Sequence, residues 1–154
     1  MFGRGASPIF CATSYGPIET GTLNFDAPAR LIAIFDWEMA TIGDPLADIG
    51  YLTATWSEPT DAERLETMFD RLTVTHAEGF LTRDELIAHY EERTGRSMSD
   101  LRWYQALALW KAAVFMEGNY RRAISGTTDD PWLKGFGAGV VDLAERARAL
   151  TLGG

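Results

Sequence analysis

The chain has 154 residues, 46% of them hydrophobic and 12% aromatic, which suits one domain with a buried core and excludes a disordered chain. Its 14 Lys and Arg stand against 22 Asp and Glu, for a formal charge of −8. That balance excludes a nucleic-acid surface, which needs cations to neutralise phosphates, and is compatible with a cationic substrate. A lone cysteine, Cys11, rules out an internal disulfide and points to a reducing, cytoplasmic setting. No run approaches the ~18 apolar residues of a membrane span, and Met1–Phe10 lacks the apolar stretch of a secretory signal.

Residues 1–21 show neither helical nor strand periodicity and hold Gly3, Gly5, Pro8, Gly16 and Pro17, so they read as an irregular N-terminal segment. The Gly3-Arg4-Gly5 run has no preceding strand and no clear following helix, and is not a phosphate loop. Residues 22–150 read as one folded unit. A β-hairpin is predicted over 21–38, with Thr22–Phe25 and Leu31–Trp37 as strands around a turn at Asp26–Ala29.

Everything after Asp44 reads as helix. Asp44 suits an N-cap with Pro45 at the first helical position, and Leu46, Ile49 and Leu52 follow at helical spacing. Thr60-Asp-Ala-Glu63 and Thr82-Arg-Asp-Glu85 are capping-box patterns, opening helices to about Leu72 and to Gly95. Ser99 is the expected cap of a helix to about Ile124 that is apolar on nearly every side, hence central. Asp130-Pro131 opens the last helix, with Phe136, Val140, Leu143, Ala147 and Leu150 in one stripe. The expected fold class is α+β, mainly α: a short hairpin followed by about five helices.

The chemistry concentrates between Leu31 and Asp48. An apolar run ends at Asp36, and Glu38, Asp44 and Asp48 follow closely. Phosphoryl transfer from ATP uses Mg²⁺ held by hard oxygen ligands, and a carboxylate fixed at a strand end is a suitable one. His76 and His89 lie in different segments without an evident partner. Trp103, Tyr104, Trp110 and Phe115 read as core aromatics, Arg121 and Arg122 as helix C-terminal cations, and Lys111 as a residue that snorkels or pairs with an acid.

Asp36-Trp37-Glu38, Gly43-Asp44-Pro45 and Asp48-Ile49-Gly50 resemble the metal-binding segment of the aminoglycoside phosphotransferase family, which has a protein-kinase-like fold. Tyr90-Glu-Glu-Arg-Thr-Gly95 and the Tyr104–Arg122 helix resemble the branch related to kinase-like domains found with acyl-CoA dehydrogenases. The resemblance covers about residues 22–150 and implies the C-terminal lobe of that fold. It implies Asp36 as the Mg²⁺ ligand, Glu38 as an acceptor of nearby donors, Asp44 and Asp48 as supporting acids, and ATP and a small-molecule hydroxyl as substrates.

The family also carries His-Gly-Asp, then four residues, then Asn, upstream of the metal Asp. In this chain those positions fall on Tyr15-Gly16-Pro17 and Thr22, so the orienting carboxylate and the amide ligand are both replaced; Asn24 is two residues out of place. The segment before the hairpin is too short for a nucleotide-binding lobe. The expectation is therefore a truncated or frame-shifted phosphotransferase, or one with an alternative start, that does not catalyse transfer alone. The alternative is a non-catalytic helical module, pairing with a partner chain or a second copy through an exposed hairpin face. The acceptor molecule is not legible.

Overall fold

The computed structural model describes residues 10–11, 41–64 and 73–152. Four α-helices make up the body of these residues: α1, Leu46–Thr55; α2, Arg83–Thr94; α3, Leu101–Ile124; and α4, Phe136–Leu152. Short 3₁₀ turns at Pro59–Arg64, Thr73–His76 and Leu133–Gly135 connect them. Two strands of two residues each, β1 (Phe10–Cys11) and β2 (Thr41–Ile42), pair antiparallel with Phe10 opposite Ile42.

These elements correct the expected fold class. The described residues are helical, with four α-helices rather than about five, and contain no hairpin of adjacent strands. The expected hairpin over 21–38 lies outside the described residues, and the pairing observed joins segments far apart in sequence. The helix expected from Thr60 is a 3₁₀ turn from Pro59 to Arg64, and residues 65–72 lie outside the description. The reason is local competition. The Asp61 carboxylate accepts from the Glu58 backbone N–H at 3.1 Å, so the turn closes on Glu58 and Thr60 does not cap it.

Helix α3 is central, packing against α1 and against α4. The core joins Leu109, Ala112, Ala113 and Met116 of α3 to Phe136, Leu143 and Ala147 of α4, with Ala54 of α1 and Val140 and Leu150 of α4 beside them. The stripe predicted on α4 is thus the face that it buries. Helix α4 begins at Phe136, later than Pro131 suggested, because Asp130 accepts from the Trp132 N–H at 2.9 Å and holds a separate turn. At the start of α3 the Ser99 N–H donates to Ser97 Oγ, and Asp100 occupies the cap position. Nor is α3 buried all round: Trp103, Trp110 and Val114 are more than half exposed.

Helix α2 follows its sequence signals closely. Thr82 Oγ1 accepts from the Glu85 N–H while the Glu85 carboxylate accepts from the Thr82 N–H, which satisfies two orphan donors reciprocally. Gly95 ends the helix at φ 68°, a left-handed conformation that glycine adopts without a Cβ clash.

The crossing of α1 over α3 depends on Gly50. A Cβ on this residue would lie 2.6 Å from Tyr104 Cβ and 2.7 Å from the Tyr104 carbonyl carbon. Neither atom is the end of a flexible side chain, so only a hydrogen at position 50 lets the helices sit at this distance. Three residues on, Thr53 is fully buried. Its hydroxyl donates to the Ile49 carbonyl at 2.6 Å and accepts from Gln105 Nε2 at 3.0 Å, which fixes the rotation of α1 on α3. In an open helix Gly→Ala stabilises by about 0.5–1 kcal/mol. Here we predict the opposite sign: Gly50→Ala lowers stability in urea unfolding by about 1–3 kcal/mol, the usual cost of overpacking.

Candidate functional site

The acids singled out from sequence divide at residue 41. Asp36 and Glu38 lie outside the described residues. Asp44 and Asp48 lie at the start of α1, where the chain leaves β2 through Gly43-Asp44-Pro45. Proline at this point has no N–H to leave unsatisfied and a φ of −59° already suited to a helix. Asp48 sits in the first turn, where the helix dipole favours a negative charge.

Asp44 is held from two directions. Oδ1 accepts from the Leu46 backbone N–H at 3.0 Å, and Oδ2 accepts from the Tyr104 hydroxyl at 2.8 Å. The first bond is capping chemistry, as the Asp-Pro pair suggested. The second joins residues 60 positions apart and ties the entry to α1 onto α3. Both bonds favour the ionised carboxylate and hold its pKa below the ordinary value. The Leu46 N–H contributes most, then Tyr104, with Arg96 adding a favourable charge. Nearby, burial raises the pKa of the Tyr90 phenol; Arg96 acts against that rise, and the Asp48 and Asp44 charges reinforce it. Asp44, Asp48, Tyr90, Arg96 and Tyr104 therefore form one electrostatic group around the start of α1.

The far end of α1 is fastened by Arg83. Its Nε donates to the Thr53 carbonyl at 3.1 Å, and Nη2 donates to the Trp56 carbonyl at 2.7 Å and to Asp61 Oδ2 at 2.6 Å. Nη1 pairs with Glu58 Oε2 at 3.3 Å, while the Arg83 backbone N–H donates to Glu58 Oε1. The guanidinium fork thus satisfies carbonyls near the α1 C-terminus and neutralises two carboxylates together. Ser57 is buried beside this hub; its Oγ lies 2.8 Å from His76 Nε2, and its carbonyl accepts from Thr75 Oγ1 at 2.7 Å. His89 is exposed on α2, so the two histidines do not share a site.

Reading the sequence missed two of these residues. Tyr104 reads as a core aromatic, but only its ring is packed, edge-on to Trp103 at 4.8 Å, while its hydroxyl reaches Asp44. Arg83 reads as the interior of a capping box, and nothing adjacent marks its reach back to α1. The one available signal was the closely spaced pair of acids, Glu58 and Asp61, upstream of it.

Among the described residues, no three Asp, Glu, His or Cys side chains converge as a metal site. Both oxygens of Asp44 already bind protein donors, so Asp44 is a brace for the turn. The described acids therefore do not fit Mg²⁺ by themselves. No helix among the described residues is long and apolar enough to cross a membrane.

Residues 21–86 match the model of the phosphotransferase enzyme family, and this stretch is similar to that family. Among curated proteins it resembles acyl-CoA dehydrogenase family member 11 of Gallus gallus, 32% identical over 80% of this chain and 16% of that protein. It also resembles acyl-CoA dehydrogenase family member 10 of Mus musculus, 28% identical over 77% of this chain and 11% of that protein. A plant relative, the probable acyl-CoA dehydrogenase IBR3 of Arabidopsis thaliana, is 30% identical over 63% of this chain and 12% of its own length. The chain therefore spans between 11% and 16% of the relatives it matches. No solved structure matches it significantly.

Because the Asp44 pKa is depressed in the folded state, its contribution is present above the unfolded value of about 4 and is lost as pH falls through the lower folded value. We expect Asp44→Asn to be less stable than the parent at neutral pH, with the gap closing on acidification below about pH 4. Tyr104→Phe, which keeps the Leu46 bond, should show a smaller gap over the same window. Urea unfolding at a series of pH values measures both. Arg83→Met strands Glu58 and Asp61 and should cost about 1–3 kcal/mol in the same assay at pH 7, discounted for partial exposure of all three groups.

Proposed function

We propose that this chain is the metal-carboxylate segment of a phosphotransferase that passes the ATP γ-phosphoryl group to a small-molecule hydroxyl, and that the chain alone does not perform the transfer. The observation that carries the first half is the family match over residues 21–86, which encloses Asp36, Glu38, Asp44 and Asp48 together. Asp36 is the candidate Mg²⁺ ligand, and Glu38 the candidate acceptor for neighbouring donors. When bound, the metal would supply charge neutralisation at the nucleotide phosphates. Asp44, with its oxygens on Leu46 and Tyr104, keeps the following turn rigid, and Asp48 sits one helical turn further on.

The second half rests on two residue types. The hydroxyl that attacks phosphorus needs a carboxylate to orient it, and the metal site needs a second oxygen ligand. Pro17 and Thr22 stand where the family has Asp and Asn. Proline has no side-chain acceptor, and a neutral threonine hydroxyl is a weaker ligand than an amide oxygen. The single cysteine suits a reducing cytoplasm.

Two measurements on the purified chain test the proposal. Titration with a fluorescent ATP analogue should show weak binding, with a Kd above about 100 µM, that requires Mg²⁺ and is lost in Asp36→Asn. A phosphate-release assay should show no Mg²⁺-dependent ATP turnover above background. Absence of Mg²⁺-dependent binding would overturn the first half; turnover that Asp36→Asn abolishes would overturn the second.

A further inference from the structure

The exposed side of the α3–α4 pair carries two stripes of the same period. On α3, Trp103, Leu107, Trp110 and Val114 recur at 4–3–4 spacing, and on α4 so do Val141, Glu145, Arg148 and Leu152. This is the spacing of a helical packing seam, which ordinarily faces another helix. Here it faces outward: Trp103 is 59% exposed, Trp110 56%, Val141 58% and Leu152 69%. Between the stripes runs a groove floored by Ala106, Ala144 and Ala147, residues small enough to admit an approaching side chain.

The charges on α4 say what fits this face. Glu145 and Arg148 are exposed, and among the described residues neither takes part in an ion pair within the chain. They lie symmetrically about the middle of the stripe, with Val141 and Leu152 outside them. An antiparallel copy of α4, related by a two-fold axis between Glu145 and Arg148, sets each Arg148 against the other copy's Glu145. The same operation sets each Val141 against Leu152. The surface is self-complementary, as a two-fold interface requires. We propose that the α3–α4 face is a homodimer interface, in which Trp103 and Trp110 are covered and the Glu145–Arg148 pair, made twice, selects the antiparallel arrangement. The stripe on α3 is about 16 Å long, the extent of a modest interface.

Sedimentation equilibrium of the full chain, from about 1 to 500 µM, tests this. The parent should pass from monomer to dimer across the series, with a blue shift of tryptophan emission as Trp103 and Trp110 leave water. Arg148→Glu and Glu145→Arg should each weaken dimerisation about tenfold or more, because each sets like charges together twice. The double exchange Glu145→Arg with Arg148→Glu should restore it to within about threefold of the parent, since the pairs reform with reversed polarity. All these positions are exposed, and far-ultraviolet circular dichroism verifies that each variant is folded. A chain that stays monomeric throughout the range overturns the proposal. So does a dimer that both single variants leave unchanged, or one that the double exchange fails to restore.

Discussion

Gly50 lets α1 lie directly on the backbone of α3, and most of what is specific to this molecule follows from that contact. With Tyr104 Cβ where a side chain at position 50 would be, the Tyr104 hydroxyl comes within 2.8 Å of Asp44 and the Gln105 amide within 3.0 Å of the Thr53 hydroxyl. A larger residue would hold the helices apart, and both polar contacts would open together. Packing and electrostatics are coupled here by geometry, since each contact is useful only at the spacing that the other helps to set.

Helix α1 is consequently fastened at both ends by partners distant in sequence. At its start, Asp44 bridges the local cap and α3. At its end, Arg83 collects the carbonyls of Thr53 and Trp56 with the carboxylates of Glu58 and Asp61. A ten-residue helix is marginal by itself, so its persistence depends on such tertiary fastening. On the proposed reading of Asp36 as a metal ligand this rigidity has a purpose, because the chain entering α1 follows the Asp36 segment and a metal-orienting carboxylate works only from a fixed support.

Helix α3 joins the fastened helix to the rest. Its Leu109, Ala113 and Met116 side serves α4, its Tyr104–Gln105 side serves α1, and the Trp103–Trp110 side is uncovered. A helix apolar on nearly every side is expected at a centre, and two of its three sides behave so. The third is apolar for the same physical reason and has no neighbour among the described residues, which makes it the natural place for association.

How much of this was legible varies with the range of the interaction. The α2 capping box, the Gly95 stop, the buried stripe of α4 and the Asp44-Pro45 entry to α1 were readable because each depends on residues within four or five positions of one another. The family was readable from Asp36 to Gly50 because its signature is contiguous. By contrast, the α+β expectation, the helix from Thr60 and the reading of Trp103 and Trp110 as core aromatics did not stand. Asp61 had a competing local donor in the Glu58 N–H, and burial depends on which elements arrive from elsewhere. Sequence by itself determined the two ends of α2, the entry to α1, the buried stripe of α4 and the family resemblance, which rest on short-range periodicity, capping and a contiguous motif. Only tertiary structure decided that Tyr104 holds Asp44, that Arg83 closes α1 and that Trp103 and Trp110 face outward. Those outcomes depend on the α1–α3 distance and on contacts across 25 to 60 residues, which local pattern does not encode.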